Sequence, residues 1–491
     1  MDYLDPIKRR RHNMILYTGY MLVAIAILIA TTILLNLTYG YWVDKNGEII
    51  QNGGVFLSSQ PDSAQIYLNG KLSKKTNARL VLPAGDYEAE LKRTGYRSWR
   101  RSITVEGGHQ QRLDYPLLFP TNLVTNRLRA YAALPALVSQ SPDLHWLLIN
   151  PAGNLAAFEE IDLKDPSKAP RAVTLPSSLL TKATNSQSWQ VKEWADDNRH
   201  LLLAHKYDDK TEYILLDRSD PAQSLNLNAT FRIQPSNISF IDKKYDQYYL
   251  YDASTHTLQT ANLKSPTPQA LLDHVLGYDS YGADKLLYVT DAGASAGELQ
   301  VNLLANGKTY PIRQVALGST YLLKVTEYRG IMLVAAGSSS ESKIYIYRNP
   351  AKQLTLHPDH VAVPIRTLRL DNPNYLSFSP GSRFVVVENG SHISVYDAEA
   401  DKSYVFSSAD SIDAPQTHME WMDGYHLMYV SGGRLVILDY DKANDETLMV
   451  ADPAYLAFFA PDYKYVYSLA ASTTPGSLNL NQTALRTAAD L

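Results

Sequence analysis

The sequence predicts a mainly β chain behind a single membrane-crossing helix. Three observations predict it: 30 uncharged residues in a row near the start, short alternating apolar and polar segments broken by turn dipeptides, and a strand-and-turn phrase that recurs eight times. The 491 residues leave room for two to four domains, or one large repeat array with smaller additions. A content of 45% hydrophobic and 20% charged residues excludes wholesale disorder. The 46 Lys and Arg against 50 Asp and Glu give a net charge of −4, which argues against a nucleic-acid partner. With no cysteine, the chain has no disulfide, no thiolate metal site, no cysteine nucleophile and no lipid anchor on Cys.

The first element is the helix. Residues 1–13 form a basic tail, with Lys8, Arg9, Arg10 and Arg11 outnumbering Asp2 and Asp5. From Met14 to Val43 no residue is charged, and Ile15 to Leu37 is densely apolar. At about 1.5 Å per residue such a helix crosses a hydrocarbon core near 30 Å thick. The basic cluster before it places the N-terminus in the cytoplasm, and Tyr39, Tyr41 and Trp42 suit the outer interface. The rival reading is a cleaved signal peptide, which has a shorter apolar core and a small-residue cleavage site, here only Thr38-x-Gly40. The expectation is therefore a signal-anchor helix over 14–43, single-pass, with the bulk of the chain extracytoplasmic.

A linker is expected over 44–54, then a small β-sandwich over 55–119. Asn69-Gly70 after Gln65-Ile66-Tyr67-Leu68 is a hairpin signal, and Tyr87, Ala89 and Leu91 alternate with Glu88, Glu90 and Lys92. Over residues 53–118 the pieces Q-I-Y-L-N-G-K, L-P-A-G-D-Y-E, T-G-Y-R-S-W and I-T-V-E-G-G resemble the PEGA domain. Gly70, then Leu82, Gly85 and Tyr87, then Gly95 and Tyr96 match its turns; Ser73 to Asn77 stand where that family has G-x-T-P. The resemblance implies an exported or surface-attached bacterial or archaeal protein, and it carries no catalytic residues. Ten Lys and Arg against six Asp and Glu make this module basic, while the chain from residue 120 on carries −9. Lys92, Arg93, Arg97, Arg100 and Arg101 form a candidate patch for anionic lipid headgroups or wall polymers; the alternative is a solvated face.

The remainder, 120–491, is read as a β-propeller. Each phrase has an apolar strand, a Pro-Asp-like turn, an apolar-aromatic strand, and a strand often ending in Tyr-Asp or Leu-Asp, as at Asp217, Asp252, Asp397 and Asp439. Eight units over 124–491 give a mean period of 46, and four strands per 40–50 residues describe a propeller blade. Eight blades fit best, seven with long insertions being the alternative; a solenoid or paired sandwiches is the rival architecture. Phe378-Ser-Pro-Gly381 and Val395-Tyr-Asp397 resemble the WD40-like repeats of TolB-type propellers. The 34 Tyr against 10 Phe suit strands apolar on one side and wet on the other.

Chemistry-bearing motifs are few. Gly293-Ala-Ser295-Ala-Gly297 matches G-x-S-x-G, but a strand follows it where a nucleophile elbow needs a helix. His357 and His360 lie in a Pro-broken stretch, not on one helix face, and no H-E-x-x-H, Walker A or G-x-G-x-x-G occurs. The strand-end carboxylates recur once per repeat, as turn caps do. The expectation is no catalytic residue, no metal and no cofactor. The sequence therefore points to a tethered binding or scaffold protein of the bacterial envelope, with a protein or glycan partner on a propeller face. The alternative is an envelope glycan lyase, hydrolase or peptidase, which a convergence of His, Tyr, Arg and carboxylates at one channel mouth would favour.

Overall fold

The structure, a computed structural model, describes residues 6–38, 41–43, 49–318 and 320–491. A helix spans Pro6–Thr38, and its segment Arg10–Leu35 is long and apolar enough to cross a membrane, with none of it buried by the rest of the chain. Tyr41–Val43, expected to close the anchor, is instead a strand paired with Ile49–Gln51; Tyr, Trp and Val are strand formers. The expected linker over 44–54 is likewise strand from Ile49 to Leu57. Residues 1–5 of the basic tail, the expected interface residue Tyr39, and 44–48 of the linker lie outside the described residues.

The chain divides into two units, one of residues 1–122 with 486–490, the other of 123–485 with Leu491. Among the described residues the small unit holds two four-stranded sheets. In one, Ile49–Leu57 pairs antiparallel with Ala78–Pro83 and parallel with Gln110–Leu113. In the other, Lys71–Lys75, Gln65–Leu68, Gly85–Lys92 and Trp99–Val105 lie in that order. Their inner faces share one core, with Val55, Leu57, Ile66, Leu80, Leu91 and Trp99 fully or nearly fully buried. Asn69 and Gly70 both have positive φ, 49° and 75°, the requirement of a two-residue type I′ hairpin, and Leu68 pairs with Lys71 across it. Gly53 answers to a close approach: a Cβ there would meet the Glu106 carbonyl oxygen at 2.3 Å.

The large unit is a propeller, with eight four-stranded antiparallel sheets among the described residues. Blade 1 comprises Leu137–Gln140, Trp146–Asn150, Ala157–Asp162 and Arg171–Thr174, and the later blades repeat it in chain order. The ring closes non-locally. Blade 8 has Phe458–Phe459, Tyr465–Ala471 and Leu478–Ala484, and its outer strand is Thr125–Tyr131, which pairs Tyr131 with Leu478 and Thr125 with Thr483. The phrase expected to begin at 124 thus lends its first strand to the last blade. The propeller, expected to reach 491, closes at Leu485, and residues 486–490 belong to the small unit.

Hydrogen bonds at or beside the inner strands tie successive blades together. Trp194 Nε1 donates to Ser139 Oγ (2.8 Å), and its counterpart Trp421 donates to Ser377 Oγ (3.1 Å). Glu193 accepts from the Phe240 N–H, Tyr278 and Ser239 share a hydroxyl bond (2.9 Å), and Asp279 accepts from the Val325 N–H (2.8 Å). Thr326 meets Ser382 (2.7 Å), and Gln140 Nε2 donates to the Phe459 carbonyl across the seam (2.7 Å).

The strand-end carboxylates do cap turns. Asp217 accepts from the Ser219 and Asp220 N–H groups and Asp397 from those of Glu399 and Ala400, and Asp252 accepts from Ser254. They also clamp the blade. A basic side chain just before the second strand reaches the carboxylate ending the third: the His145 imidazole to Asp162 (2.9 Å), Arg199 to Asp217, Arg383 to Asp397 (2.7 Å). The tyrosine excess has its explanation here as well. Rings fill the core while hydroxyls reach out, Tyr213 to the Ser236 carbonyl, Tyr251 to Val275 and Tyr455 to Pro135.

Candidate functional site

Polar and charged side chains gather on two surfaces: the basic strands of the small unit and the inner rim of blades 6 and 7.

The pairing of Gly85–Lys92 with Trp99–Val105 sets Glu90 opposite Arg100 and Ala89 opposite Arg101. Ala89, Leu91, Trp99 and Ile103 point into the core, so Glu90, Lys92 and Arg100 share the outer face. Lys92 and Arg100 both pair with Glu90, at 2.8 and 2.7 Å. Burial pushes the Glu90 carboxyl up, but those two cations outweigh it and hold it below the ordinary range. Arg93 is drawn elsewhere, to Asp62 (3.6 Å) and Asp490. Arg101 lies over the Tyr115 ring at 5.7 Å, and Arg97 is half-buried, its backbone N–H donating to the Phe119 carbonyl. The five residues of the candidate patch therefore divide: Lys92 and Arg100 come together around one carboxylate, Arg93 and Arg101 go to separate partners, and Arg97 is half-buried. Lys71, Lys74 and Lys75, on the outer strand Lys71–Lys75, are exposed along its whole length. Their signal, K-L-S-K-K directly after the Asn-Gly turn, was present in the sequence.

The G-x-S-x-G match is a hairpin loop between Lys285–Thr290 and Glu298–Ala305. Ser295 is exposed, and its hydroxyl donates to Gln314 Oε1 (3.1 Å). His357 and His360 stack on each other, centroids 5.3 Å apart, just beyond the short helix Pro350–Leu356. Among the described residues no three His, Asp or Glu side chains gather as a metal site would need.

The rim of blades 6 and 7 is different. The inner strands here are Tyr375–Phe378 and Glu420–Trp421, and each begins where the chain arrives from the preceding blade. Tyr375 and His418 stack with centroids 3.6 Å apart. His418 Nε2 lies 2.9 Å from Glu420 Oε1, and Trp421 bridges back to Ser377. Behind them, Glu388 faces Tyr375 across the ladder. Its Oε2 accepts the Met419 N–H (2.9 Å), while Oε1 has no partner and the residue is 0% exposed. Among the described residues neither carboxyl has a Lys or Arg partner. Burial pushes Glu388 up to about 8, with Glu420 adding to the effect. Burial also raises the Tyr375 phenol, and Glu420 acts in the same direction.

The Glu420 side chain is 46% exposed and His418 25%, so the outer groups are reachable while Glu388 is enclosed behind them. An aromatic stack, an imidazole and a carboxyl in reach of solvent can hold a polar ligand by stacking and hydrogen bonding. Sequence reading missed this cluster because its members come from two blades and from the segment between them. A concavity of about 510 Å³ lies beside blade 3, lined by polar groups including Asp246, Gln247, Asn262 and Gln269.

Residues 52–118 match the PEGA domain. None of the curated proteins matches the chain. Among solved structures, Kluyveromyces lactis Hsv2 is 12% identical, with 72% of this chain and 99% of that one covered at a TM-score of 0.38. An oligogalacturonate lyase in complex with manganese is 12% identical, covering 73% and 98% at 0.39. Dihydro-heme d1 dehydrogenase NirN in complex with DHE is 15% identical, covering 65% and 66% at 0.41. The chain carries a PEGA domain over 52–118, preceded by an apolar helix and followed by an eight-bladed β-propeller.

Proposed function

We propose that this chain is a membrane-tethered, extracytoplasmic binding protein of the bacterial envelope, single-pass with its N-terminus inside, and that its propeller holds a protein or glycan partner. The observation that carries this reading is the Tyr375–His418–Glu420 rim over the enclosed Glu388. The propeller's own first and last strands meet at one end of the ring, where the Ala484 N–H donates to the Val124 carbonyl. The rim lies at the other end, with the loops that run from blade to blade, and is clear of the chain's entry and exit. The exposed Lys71, Lys74 and Lys75, with Lys92 and Arg100, suit an anionic surface of lipid headgroups or wall polymers. The enzyme reading is favoured by the same rim, which gathers a tyrosine, a histidine and two carboxyls.

The test is capture from envelope extract by the full chain in detergent, wild type against Tyr375→Ala and Glu420→Lys. Both variants should retain at least about tenfold less of a partner the wild type retains, because each removes a central contact. Equal retention by all three contradicts the rim as the binding surface. Turnover of a glycan or peptide by the wild type, lost in both variants, puts the enzyme in place of the scaffold.

A further inference from the structure

We propose that the Gly95–Tyr96 corner of the PEGA domain is a docking site for an acidic peptide turn of the form Thr-x-x-Asp, and that residues 486–490 are its occupant in cis. These residues, 390 positions further along the chain, belong to the small unit. Tyr96 is 7% exposed, and the segment satisfies its hydroxyl in both directions. The hydroxyl donates to Asp490 Oδ2 (2.6 Å) and accepts from the Thr487 N–H (2.9 Å). Arg93 ion-pairs with the other Asp490 oxygen while donating to the Asp62 carbonyl, so its guanidinium is held in place from behind. The occupant is itself a turn: the Asp490 N–H donates to the Thr487 carbonyl (2.8 Å) and the Thr487 hydroxyl to Asp490 Oδ2 (3.0 Å).

The corner has the features of a carboxylate receptor. A guanidinium and a phenol converge on one carboxylate, and charge-assisted hydrogen bonds of this kind are the strong ones. Hydrogen bonds from Tyr96 and Thr487, with Arg93 nearby, hold the Asp490 carboxyl below its ordinary range. Gly95 leaves room for the occupant, since a Cβ there would stand 3.2 Å from Thr487 Cγ2. The corner is also braced from the opposite side: the Thr121 N–H and hydroxyl both donate to the Gly95 carbonyl, at 2.9 and 2.8 Å. The glycine and tyrosine that mark the domain in the sequence thus form a rigid seat, and the chain supplies its own ligand. Tethering raises the local concentration of that ligand to the millimolar range or above, so a competitor in trans meets a site already filled.

The test uses the full chain and a variant lacking residues 486–491, with a fluorescent peptide of residues 485–491 as probe. The truncated chain should bind the peptide saturably. Binding should weaken at least about tenfold with Arg93→Gln, with Tyr96→Phe, or when the peptide carries Asn for Asp490, each removing a charge-assisted bond. The intact chain should bind it at least about tenfold more weakly than the truncated one. A folded truncated chain that ignores the peptide, or an intact chain that binds it equally well, overturns the proposal. Should truncation prevent folding, full-length Asp490→Asn reads the same contact by amide hydrogen exchange. Exchange should accelerate at both 93–97 and 486–490, and unchanged exchange at either segment overturns the proposal.

Discussion

His426→Ala should destabilise the propeller by about 3–5 kcal/mol at pH 7, the usual loss when one member of a buried charge cluster is removed. His426 is 3% exposed and lies between two carboxylates, with Nδ1 2.8 Å from Asp423 and Nε2 3.4 Å from Asp439. Burial alone lowers an imidazole, but the two carboxylates outweigh it and raise His426 to about 10. Alanine would leave the buried Asp439 and the half-buried Asp423 without that cation. The pH dependence follows from a pKa raised on folding. The stabilisation is complete below the ordinary imidazole value of 6.5 and is lost as pH climbs through about 10. Thermal or denaturant unfolding of both proteins from pH 6 to 10.5 should therefore show the gap narrowing toward the alkaline end. A gap that stays constant, or a loss under about 1 kcal/mol at pH 7, contradicts the charged clamp.

Glu388→Gln should change sign across the pH range. The carboxyl is raised to about 8 from an ordinary 4.5 because it is enclosed, so it stays protonated in the folded chain where the unfolded chain has released its proton. Wild-type stability should accordingly be full below about 4.5 and fall as pH rises to about 8, by up to about 5 kcal/mol from this one group. Glutamine keeps an acceptor for the Met419 N–H and removes the ionisation, at a cost of about 1–3 kcal/mol for a buried amide left without a full set of partners. The variant should be less stable than wild type at pH 5 and more stable at pH 9. Parallel stability profiles would show that Glu388 is not the group that titrates.

The elements whose signal is local were legible in the sequence. The apolar run before Leu37 gave a helix, Asn69-Gly70 gave the hairpin between Leu68 and Lys71, and Asp217, Asp397 and Asp439 marked the third strand of their blades, whereas Asp252 ends a second strand. What escaped depends on contacts distant in sequence. Thr125–Tyr131 has the half-polar pattern of an outer strand, and nothing in Thr-Asn-Arg-Leu-Arg-Ala-Tyr indicates a partner 350 residues away. The basic run looked like one face because a list of residues does not show register. Once Trp99 lies opposite Leu91, Arg100 must face Glu90, and that one carboxylate offsets only one of the two cations around it. Glu388, His418 and Glu420 carry no shared motif in the sequence, since only the junction between two blades brings them together. The seat of residues 486–490 escaped for the same reason.

We propose that an uncleaved helix holds the PEGA domain and propeller outside the cytoplasm, and protease added to intact spheroplasts tests this most directly. A chain tagged at its N-terminus should lose everything beyond residue 43 while the tag survives, and the full-length protein should leave the membrane only with detergent. A protected large fragment would reverse the orientation, and a propeller released into the medium without its tag would show that the helix is a cleaved signal rather than an anchor.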